Sequence, residues 1–490
     1  MKKLFTNSAF FLYLLPIFFV LHGITENYTL VPVRDAVWLT LFYIGCTVVV
    51  ALISWFFYKD FRKANIAAFI LMVIYFFFGT FHDTLKSMFP DSFVSKYTFI
   101  LPLLFILASI ITFLIKKSKS DFKHIFLYLN TVLVVLLVVE ILTINKKVAA
   151  IRIPEVSLGK EFTKCKDCTT PDIYFIVADG YTNNTALKEV FNFDNTAFET
   201  ELKQRNFHII NNSFSNYNAT AYSMTSMLNL NYLGNLTSLD DNMENLLICY
   251  QEIKQNQTLL FLKDKGYQFY NYSDFNFPGQ PAVTNPTFLL AKTRTITSQT
   301  LSGRIYRDLW YHLATDFKLK SVVNKYVYGQ LRNNDKVYKL TEDVVEKKSN
   351  SPKFVYTHLV IPHNPYYFDK NGTPASIEKL QDYSGSNRKD FVEYLQYANK
   401  KLLSLIDHIK NKSSQPPVII LMGDHGFRQF NDSTDKKYYF MNLSSFSIPS
   451  GNYTGFYDSS SSVNQIRTFL NTQFNQKLTL LKDSTVFIQQ

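Results

Sequence analysis

Five long apolar stretches dominate the pattern of hydrophobic and polar positions in the first 145 residues. Each approaches or exceeds the roughly 18 residues that distinguish a membrane-spanning helix from a buried core helix. A lysine pair precedes the first stretch, as in a signal peptide, but no small-residue cleavage site follows, so we interpret this stretch as a span. The pattern therefore predicts a transmembrane domain of five helices over residues 1–145. The stretches are 8–24, 36–57, 64–82, 97–115 and 125–144.

The loops between these stretches differ in their content of Lys and Arg. Basic residues concentrate at the N-terminus, after the second stretch and after the fourth, whereas the other two loops hold fewer. Because such an excess marks the cytoplasmic side, the N-terminus is predicted inside and everything after the fifth stretch outside. Lys146, Lys147 and Arg152 oppose this orientation, but a long following domain is translocated largely regardless of charge.

A different pattern begins after residue 170, beyond a polar and irregular stretch over 146–170 that we interpret as a linker. Short continuous apolar runs appear, as expected of strands that are buried on both faces. Amphipathic helical patterns alternate with these runs, which predicts an α/β domain over 171–490 with a mainly parallel sheet flanked by helices. The predicted strands are 173–178, 354–360 and 418–422, the predicted helices are 194–205 and 390–410, and the stretches without a clear element are 236–350 and 429–490.

Composition and charge exclude several classes of protein. The chain has 45 Phe and 31 Tyr against only 16 Gly and 16 Pro in 490 residues, which excludes collagen-like and low-complexity chains and argues against general disorder. The net charge of +12 is divided between the membrane half and the soluble half and is not concentrated in one basic region. We therefore predict no nucleic-acid partner. Four cysteines are too few for a disulfide-rich scaffold. We interpret the C-x-x-C pair Cys165 and Cys168 as either a structural disulfide or free thiols.

Polar residues follow each of the three predicted strands. Asp179 comes directly after the first strand, His363 follows the second, and Asp424 and His425 follow the third between two glycines. Because ligands bind outside the carboxyl ends of parallel strands, we expect these side chains to share one site. Carboxylate oxygen together with imidazole nitrogen suits Zn²⁺ or Mn²⁺.

These residues resemble the alkaline phosphatase superfamily, and within it the membrane-anchored lipoteichoic acid synthases and phosphoethanolamine transferases. Those enzymes are similar in layout, with membrane spans, a linker and an extracytoplasmic sulfatase-like domain. The resemblance covers nearly the whole chain at the level of layout. At the level of motifs it covers about 171–235, 352–370 and 389–428.

The resemblance implies a role for individual residues. Asp179, Asp424 and His425 are the expected metal ligands, and His363 is expected to contact the substrate phosphate. Thr220 stands at a predicted helix start in the place of the nucleophile, whose oxygen also completes the metal shell. Three neighbouring hydroxyls stay open as alternative nucleophiles, namely Ser223, Thr225 and Ser226.

Several departures from the superfamily narrow the expected chemistry. No cysteine begins the C-x-P-x-R motif in which sulfatases form formylglycine, so that chemistry is not expected. Two-metal phosphodiesterases need a further histidine after His425, and none follows, so we expect one divalent ion. Zn²⁺ or Mn²⁺ is favoured, with Mg²⁺ or Ca²⁺ as alternatives. The transferases usually have Glu in place of Asp179, which leaves subfamily and substrate open. Arg428 is interpreted either as a ligand of the substrate anion or as an exposed salt-bridge residue.

The implied function is a metal-dependent membrane phosphotransferase. It would move a phospholipid headgroup, phosphoglycerol or phosphoethanolamine, to a cell-envelope glycan or lipid acceptor through a phospho-threonine intermediate. The expected location is the bacterial inner membrane, with the catalytic domain on the periplasmic side. A hydrolase of phosphate or sulfate esters with the same fold is the first alternative. An inactive membrane scaffold in polysaccharide assembly is the second, and the complete set of predicted site residues argues against it.

Overall fold

The computed structural model describes residues 2–27, 31–90, 92–150, 157–165, 168–284, 293–310, 317, 320–381 and 384–489. The chain divides into two compact units. The first comprises Met1–Ile153 and Phe288–Val323, and the second comprises Pro154–Thr287 and Asn324–Gln490. The segment Phe288–Val323, which the sequence pattern assigned to the soluble domain, therefore clusters with the N-terminal helices.

The first unit is built from apolar helices. Four of those described, α3 to α6 in the order below, are long and apolar enough to cross a membrane. The chain is therefore a membrane protein. The helix over the first predicted span has 16 residues, so a count of five spans stays a prediction. The helices are α1 (Lys2–Asn7), α2 (Phe11–Glu26), α3 (Val33–Tyr58), α4 (Phe61–Met88), α5 (Tyr97–Lys117) and α6 (Lys123–Ala150), with a 3₁₀ turn over Phe93–Ser95.

Buried aromatic rings pack these helices together. Phe19 of α2, Tyr43 of α3 and Phe76 of α4 have ring centroids 4.7 to 5.9 Å apart. The side chain of Asn130 on α6 accepts a hydrogen bond from the backbone N–H of Phe11 at 2.7 Å and donates to the carbonyl of Ser8 at 2.7 Å. Polar groups in a membrane need such internal partners, so this amide fixes α6 against the start of α2.

The first unit also includes Phe288–Val323, and residues 293–310 are the longest described stretch within it. They fold into two short helices, Arg294–Thr297 and Leu301–Arg304, and a π-helical turn over Ile305–Leu309 continues the second.

A six-stranded mixed sheet forms the centre of the second unit, in the order β2-β6-β5-β1-β4-β3. The strands β5, β1, β4 and β3 are parallel, whereas β6 runs antiparallel to β5 and β2 antiparallel to β6. The three predicted strands are confirmed as β1, β4 and β5, and all their residues are buried. The strands are β1 (Ile173–Ala178), β2 (His208–Ile209), β3 (Gln268–Tyr272), β4 (Lys353–Leu359), β5 (Val418–Gly423) and β6 (Ser444–Ser447).

Helices flank this sheet, and the two predicted ones are confirmed as α8 and α15 in the order below. On α15 the apolar stripe that includes Phe391, Leu395 and Leu402 is buried, and Asn387 caps the helix by accepting from two backbone N–H groups. Cys165 and Cys168 form a disulfide. The helices are α7 (Asn184–Phe191), α8 (Thr196–Gln204), α9 (Thr220–Asn229), α10 (Met243–Lys254), α11 (Gln257–Asp264), α12 (Lys320–Val327), α13 (Gly329–Glu346), α14 (Ile377–Leu380), α15 (Arg388–Lys412) and α16 (Ser462–Phe474), with a 3₁₀ turn over Lys436–Tyr439.

The register of the central strands aligns their carboxyl ends. Ala178, the last residue of β1, is the register partner of Leu359 at the end of β4 and of Gly423 at the end of β5. Residues that follow these three strands therefore leave the sheet at one level, which is the geometry that the sequence analysis required.

Candidate active site

Close backbone approach brings the segment after β5 against the segment after β1. A Cβ atom at Gly423 would lie 2.3 Å from the carbonyl oxygen of Tyr181, so no larger residue fits there. The backbone N–H of Gly180 donates to Oδ1 of Asp424 at 2.9 Å. This contact fixes Oδ1 of Asp424 and does not involve Oδ2.

Asp179, Asp424 and His425 offer three ligand atoms that lie within 4.8 Å of one another. All three side chains are buried, with 4%, 0% and 0% of their residue surfaces exposed. Nε2 of His425 lies 3.3 Å from Oδ2 of Asp424 and 3.8 Å from Oδ1 of Asp179. The structure thus joins the three predicted metal ligands in one cluster.

The donor set of this cluster fits a divalent cation. Oδ1 of Asp179 and Oδ2 of Asp424 are buried and have no hydrogen-bond partner, which is costly unless a cation compensates them. Nδ1 of His425 lies 2.7 Å from the carbonyl oxygen of Gly426 and must donate to it, so Nε2 carries a free lone pair. Two carboxylate oxygens and one imidazole nitrogen do not by themselves determine which metal binds.

Thr220 begins α9 and places its hydroxyl beside the cluster. Its Oγ1 lies 3.3 Å from Nε2 of His425, and the residue is 8% exposed. The three alternative hydroxyls each donate to a backbone carbonyl instead. Ser223 donates to Asp424 at 2.5 Å, Thr225 to Ala221 at 2.5 Å and Ser226 to Asn231 at 2.7 Å.

His363 lies in the loop after β4, between two cis X-Pro peptide bonds. A Cβ atom at Gly180 would lie 3.7 Å from Cδ2 of His363 and 3.8 Å from Cε1 of His425, so the two imidazoles flank this glycine. Nδ1 of His363 donates to the carbonyl of Asn364 at 2.8 Å, and Nε2 lies 2.9 Å from Nε2 of Gln429. No role for Gln429 was predicted from the sequence.

Arg428 adds a half-buried positive charge to this region. Two ion pairs of the described residues nearby in sequence, Arg388 with Asp432 and Lys437 with Glu189, do not involve Arg428. Burial lowers the pKa of His363, and the positive charge of Arg428 lowers it further against the opposing effect of Asp179. The neutral imidazole is therefore favoured.

A second histidine, His358, supports Asp179 from within β4. Its Nε2 lies 3.6 Å from Oδ2 of Asp179, and its Nδ1 lies 3.1 Å from the hydroxyl of Tyr356. Burial alone lowers the pKa of His358, but the hydrogen bond and charge of Asp179 outweigh it and raise the pKa. Burial likewise raises the pKa of Asp179, but His363, His358 and His425 together bring it below its usual range. Asp179 is therefore ionised at neutral pH.

The carboxylate of Asp274 also interacts with the charges of this site. Burial raises the pKa of Asp274, and the negative charges of Asp179 and Asp424 add to this effect while His358 opposes it. Neither His358 nor Asp274 was predicted from the sequence. His358 lies inside an apolar strand and Asp274 in a stretch with no readable pattern, so only the register of β3 and β4 brings them to the site.

The comparisons with known proteins agree with this site. Residues 175–454 match the family model for sulfatases. Because the match covers more than half of the chain, this protein is a member of the sulfatase family. It is thus an enzyme of the alkaline phosphatase superfamily, and the resemblance inferred from the sequence is confirmed. No curated protein matches the chain at a significant level.

Several solved structures are remotely similar. The C-terminal periplasmic domain of EptC from Escherichia coli in complex with Zn shares 13% identity over 66% of this chain and 89% of its own, with a TM-score of 0.40. The integral membrane lipooligosaccharide phosphoethanolamine transferase A from Neisseria meningitidis shares 12% identity over 90% of this chain and 88% of its own, with a TM-score of 0.35. The phosphonate monoester hydrolase of Silicibacter pomeroyi shares 12% identity over 64% and 75%, with a TM-score of 0.41.

Proposed function

We propose that this protein is a metal-dependent membrane phosphotransferase. It takes a phosphoglycerol or phosphoethanolamine headgroup from a phospholipid and passes it to a cell-envelope glycan or lipid through a phosphorylated Thr220. The observation that carries this proposal is the 3.3 Å contact between Oγ1 of Thr220 and Nε2 of His425, beside the buried carboxylates of Asp179 and Asp424. A hydroxyl in that position is the natural nucleophile of the site.

Asp179, Asp424 and His425 would hold the cation, and the hydroxyl of Thr220 would complete its ligands. When bound, a divalent cation there lowers the pKa of the hydroxyl and offsets negative charge on a phosphoryl oxygen. Zn²⁺ or Mn²⁺ suits the mixed donor set best, and Mg²⁺ or Ca²⁺ are the alternatives. The buried environment of the two aspartates excludes water and strengthens these charge interactions.

The remaining residues bind and protonate the substrate. Arg428, for which no ion pair is found among the described residues, binds the phosphate anion. Thr220 gives up its hydroxyl proton as Oγ1 forms a bond to phosphorus, the bond from phosphorus to the lipid oxygen breaks, and the departing lipid oxygen takes up one proton at the side of His363. In the second half of the reaction the acceptor hydroxyl gives up its proton and attacks phosphorus, the bond from phosphorus to Oγ1 breaks, and Oγ1 of Thr220 takes up a proton. Water in place of the acceptor gives hydrolysis.

The membrane helices favour a lipid donor over a soluble one, because they keep the enzyme at the surface where phospholipids lie. The Lys and Arg distribution supports an orientation in which the catalytic domain lies on the periplasmic side of the bacterial inner membrane. An envelope glycan or lipid is the acceptor that such an orientation makes accessible.

The test uses the full chain in vesicles that contain headgroup-labelled phosphatidylglycerol or phosphatidylethanolamine and an envelope lipid extract. We expect diacylglycerol release, transfer of label to a component of the extract, loss of both with EDTA, and a labelled adduct on Thr220 by mass spectrometry. Thr220→Ala abolishes all of these, whereas Thr200→Ala, on the exposed face of α8, changes none. Label freed only to water supports the hydrolase instead. Full turnover in Thr220→Ala contradicts the proposal.

A further inference from the structure

Residues 293–310, called here the 293–310 segment, dock on the N-terminal helices of the first unit. Ile296 is 1% exposed and belongs to the same buried hydrophobic cluster as the side chains of α2 and α4. The backbone N–H of Gly79 on α4 donates to the carbonyl of Gln299 at 2.8 Å. A Cβ atom at Gly79 would lie 2.7 Å from Cα of Gln299, so only glycine allows this backbone contact. The segment is therefore an integral part of the helical unit.

Charged and polar contacts fix the segment where α4 ends and α5 begins. Arg304 is 2% exposed, and its guanidinium forms a two-point ion pair with Asp83 near the end of α4, with 2.8 Å from Nη1 to Oδ1. The hydroxyl of Tyr97, the first residue of α5, donates to Asp308 at 2.5 Å. Because α4 and α5 are membrane-spanning helices, their junction marks the level of the membrane surface.

In the helical turns over 304–310, one charged side chain is buried and two aromatic side chains are exposed. A helix on a water-exposed surface turns apolar residues inwards and charges outwards. Here Arg304 is buried and Asp308 is half-buried, whereas Tyr306 is 50% and Trp310 is 37% exposed. Tyr306 and Trp310 are four residues apart and so lie on one side of the helical turns. Trp and Tyr are enriched at the interface between membrane and water, where a ring meets lipid and its polar group meets headgroups.

We propose that the outward side of the 293–310 segment, carrying Tyr306 and Trp310, binds the headgroup layer of the lipid bilayer at the junction of α4 and α5, and that the ion pair between Arg304 and Asp83 holds it there. Two observations favour lipid over a protein partner. The contacts with Asp83 and Tyr97 place the segment at the ends of two spans, and further along α5 apolar side chains such as Phe105 and Ile106 are exposed. The segment thus lies at the end of a helix that has a lipid-facing surface. This inference does not depend on the chemistry proposed for Thr220.

The chain has three tryptophans, which makes a fluorescence test direct. In the full chain, Trp38→Phe and Trp55→Phe leave Trp310 as the sole tryptophan. A matched chain with Trp38→Phe and Trp310→Phe keeps Trp55, within the span α3. Both are reconstituted in phosphatidylcholine vesicles that carry a nitroxide either on the headgroup or near the end of the acyl chain. Soluble acrylamide reports exposure to water.

We expect the headgroup nitroxide to remove about half of the Trp310 emission and the deep nitroxide and acrylamide to remove much less. The chain that keeps Trp55 confirms that reconstitution succeeded, because the nitroxide lipids quench it in the span. Strong quenching of Trp310 by acrylamide alone means that the aromatic side faces water and overturns the proposal. Protection from all three quenchers means that protein covers it, and dominant quenching by the deep nitroxide means that it is inserted in the acyl region. Both results also overturn the proposal.

A second variant tests the role of the ion pair. Arg304→Gln in the chain that keeps Trp310 removes the charge opposite Asp83 and leaves a polar side chain of similar reach. We expect headgroup quenching to fall at least by half and acrylamide quenching to rise, with the circular dichroism of the helices unchanged. Arg307→Gln is the matched control, since Arg307 is exposed and pairs with its neighbour Asp308. Unchanged quenching in Arg304→Gln overturns the role given to the ion pair.

Discussion

The side-chain amide of Gln429 donates a hydrogen bond to Nε2 of His363, with 2.9 Å between the two nitrogens. Nδ1 of His363 donates to the carbonyl of Asn364, so the imidazole already carries its one proton on the other nitrogen. Nε2 of His363 is thus an unprotonated acceptor in this state. For His363 to protonate a leaving alcohol, Gln429 has to release Nε2, and Nε2 has to take up a proton of the reaction before it can pass one on.

Replacing Gln429 tests this relationship. Gln429→Met keeps the length of the side chain and removes the donor, so the imidazole loses the contact that orients its ring. Because general acid–base catalysis contributes roughly a hundredfold or more, we expect kcat to fall by about tenfold with a smaller change in KM. Steady-state kinetics on the labelled phospholipid measures both. Gln396→Met on α15 is the control, and an equal loss of kcat there removes the special role of Gln429.

The two neighbouring hydroxyls of α9 are expected to behave differently. Ser223 donates to the backbone carbonyl of Asp424, so Ser223→Ala removes one buried hydrogen bond and lowers the free energy of unfolding by about 1 kcal/mol. The adduct on Thr220 should still form, and Thr220→Ser should retain part of the activity because a hydroxyl remains. Mass spectrometry and thermal unfolding measure these effects. A chain that loses the adduct in Ser223→Ala while staying folded would move the nucleophile to Ser223.

Removal of metal is expected to destabilise the protein. Asp179 and Asp424 are buried carboxylates with orphaned oxygens, so a bound cation stabilises the folded state, by roughly 3 kcal/mol when the ion is at a hundred times its dissociation constant. EDTA should therefore lower the unfolding temperature of the native chain but leave that of Asp179→Asn nearly unchanged. Asp369→Asn, in an exposed loop, is the control and should respond to EDTA like the native chain. An identical response of all three chains argues against a metal at this cluster.

Acid is expected to weaken the edge of the sheet at β2. Burial lowers the pKa of His208, whose ring stacks on Tyr453 at 4.7 Å, and Asp458 opposes this only in part. Since the folded pKa lies below the unfolded value, folding disfavours the proton. The stability is therefore complete above the unfolded value of about 6.5 and is lost as the pH falls through the folded pKa.

The variant His208→Phe keeps the stack and removes the titration. We expect its unfolding temperature to depend less on pH between about 7 and 5 than that of the native chain. Tyr453→Phe is the matched control, because it loses the hydroxyl contacts with Asn206 and Ile448 at every pH but keeps His208. Parallel pH curves for the native chain and His208→Phe would show that another group titrates.

Strands with a strong hydrophobic pattern could be predicted from the sequence. Strands that are held in the sheet mainly by hydrogen bonds to neighbouring strands could not. The strands β1, β4 and β5 are continuous apolar runs, and the residues at their ends led directly to Asp179, Asp424 and His425. β6 consists of three serines and one phenylalanine, and β2 has two residues. Their hydrogen bonds to the rest of the sheet place them there, and an apolar pattern does not reveal such pairing.

Long-range contacts account for the functional residues that the sequence did not indicate. His358 looks like one polar interruption in a buried strand until its neighbour Asp179 is placed opposite. Gln429 follows a recognisable motif, but its partner His363 is 66 positions away. The pairing of Arg304 with Asp83 spans 221 positions and joins a soluble-looking stretch to a membrane helix. No local pattern of hydrophobic and polar positions records these pairs.

Because the 293–310 segment belongs to the helical unit, the catalytic domain cannot be separated from the membrane helices by a single cut in the chain. A chain that starts after the last membrane helix would contain the whole second unit, but it would also carry Ile296 and Arg304 without the surfaces that bury them. The apolar side chain of Ile296 would then face solvent, which favours self-association, and Arg304 would lose its partner Asp83. A soluble catalytic fragment therefore requires that residues 288–323 be replaced by a short polar loop, and not merely that the N-terminal helices be removed.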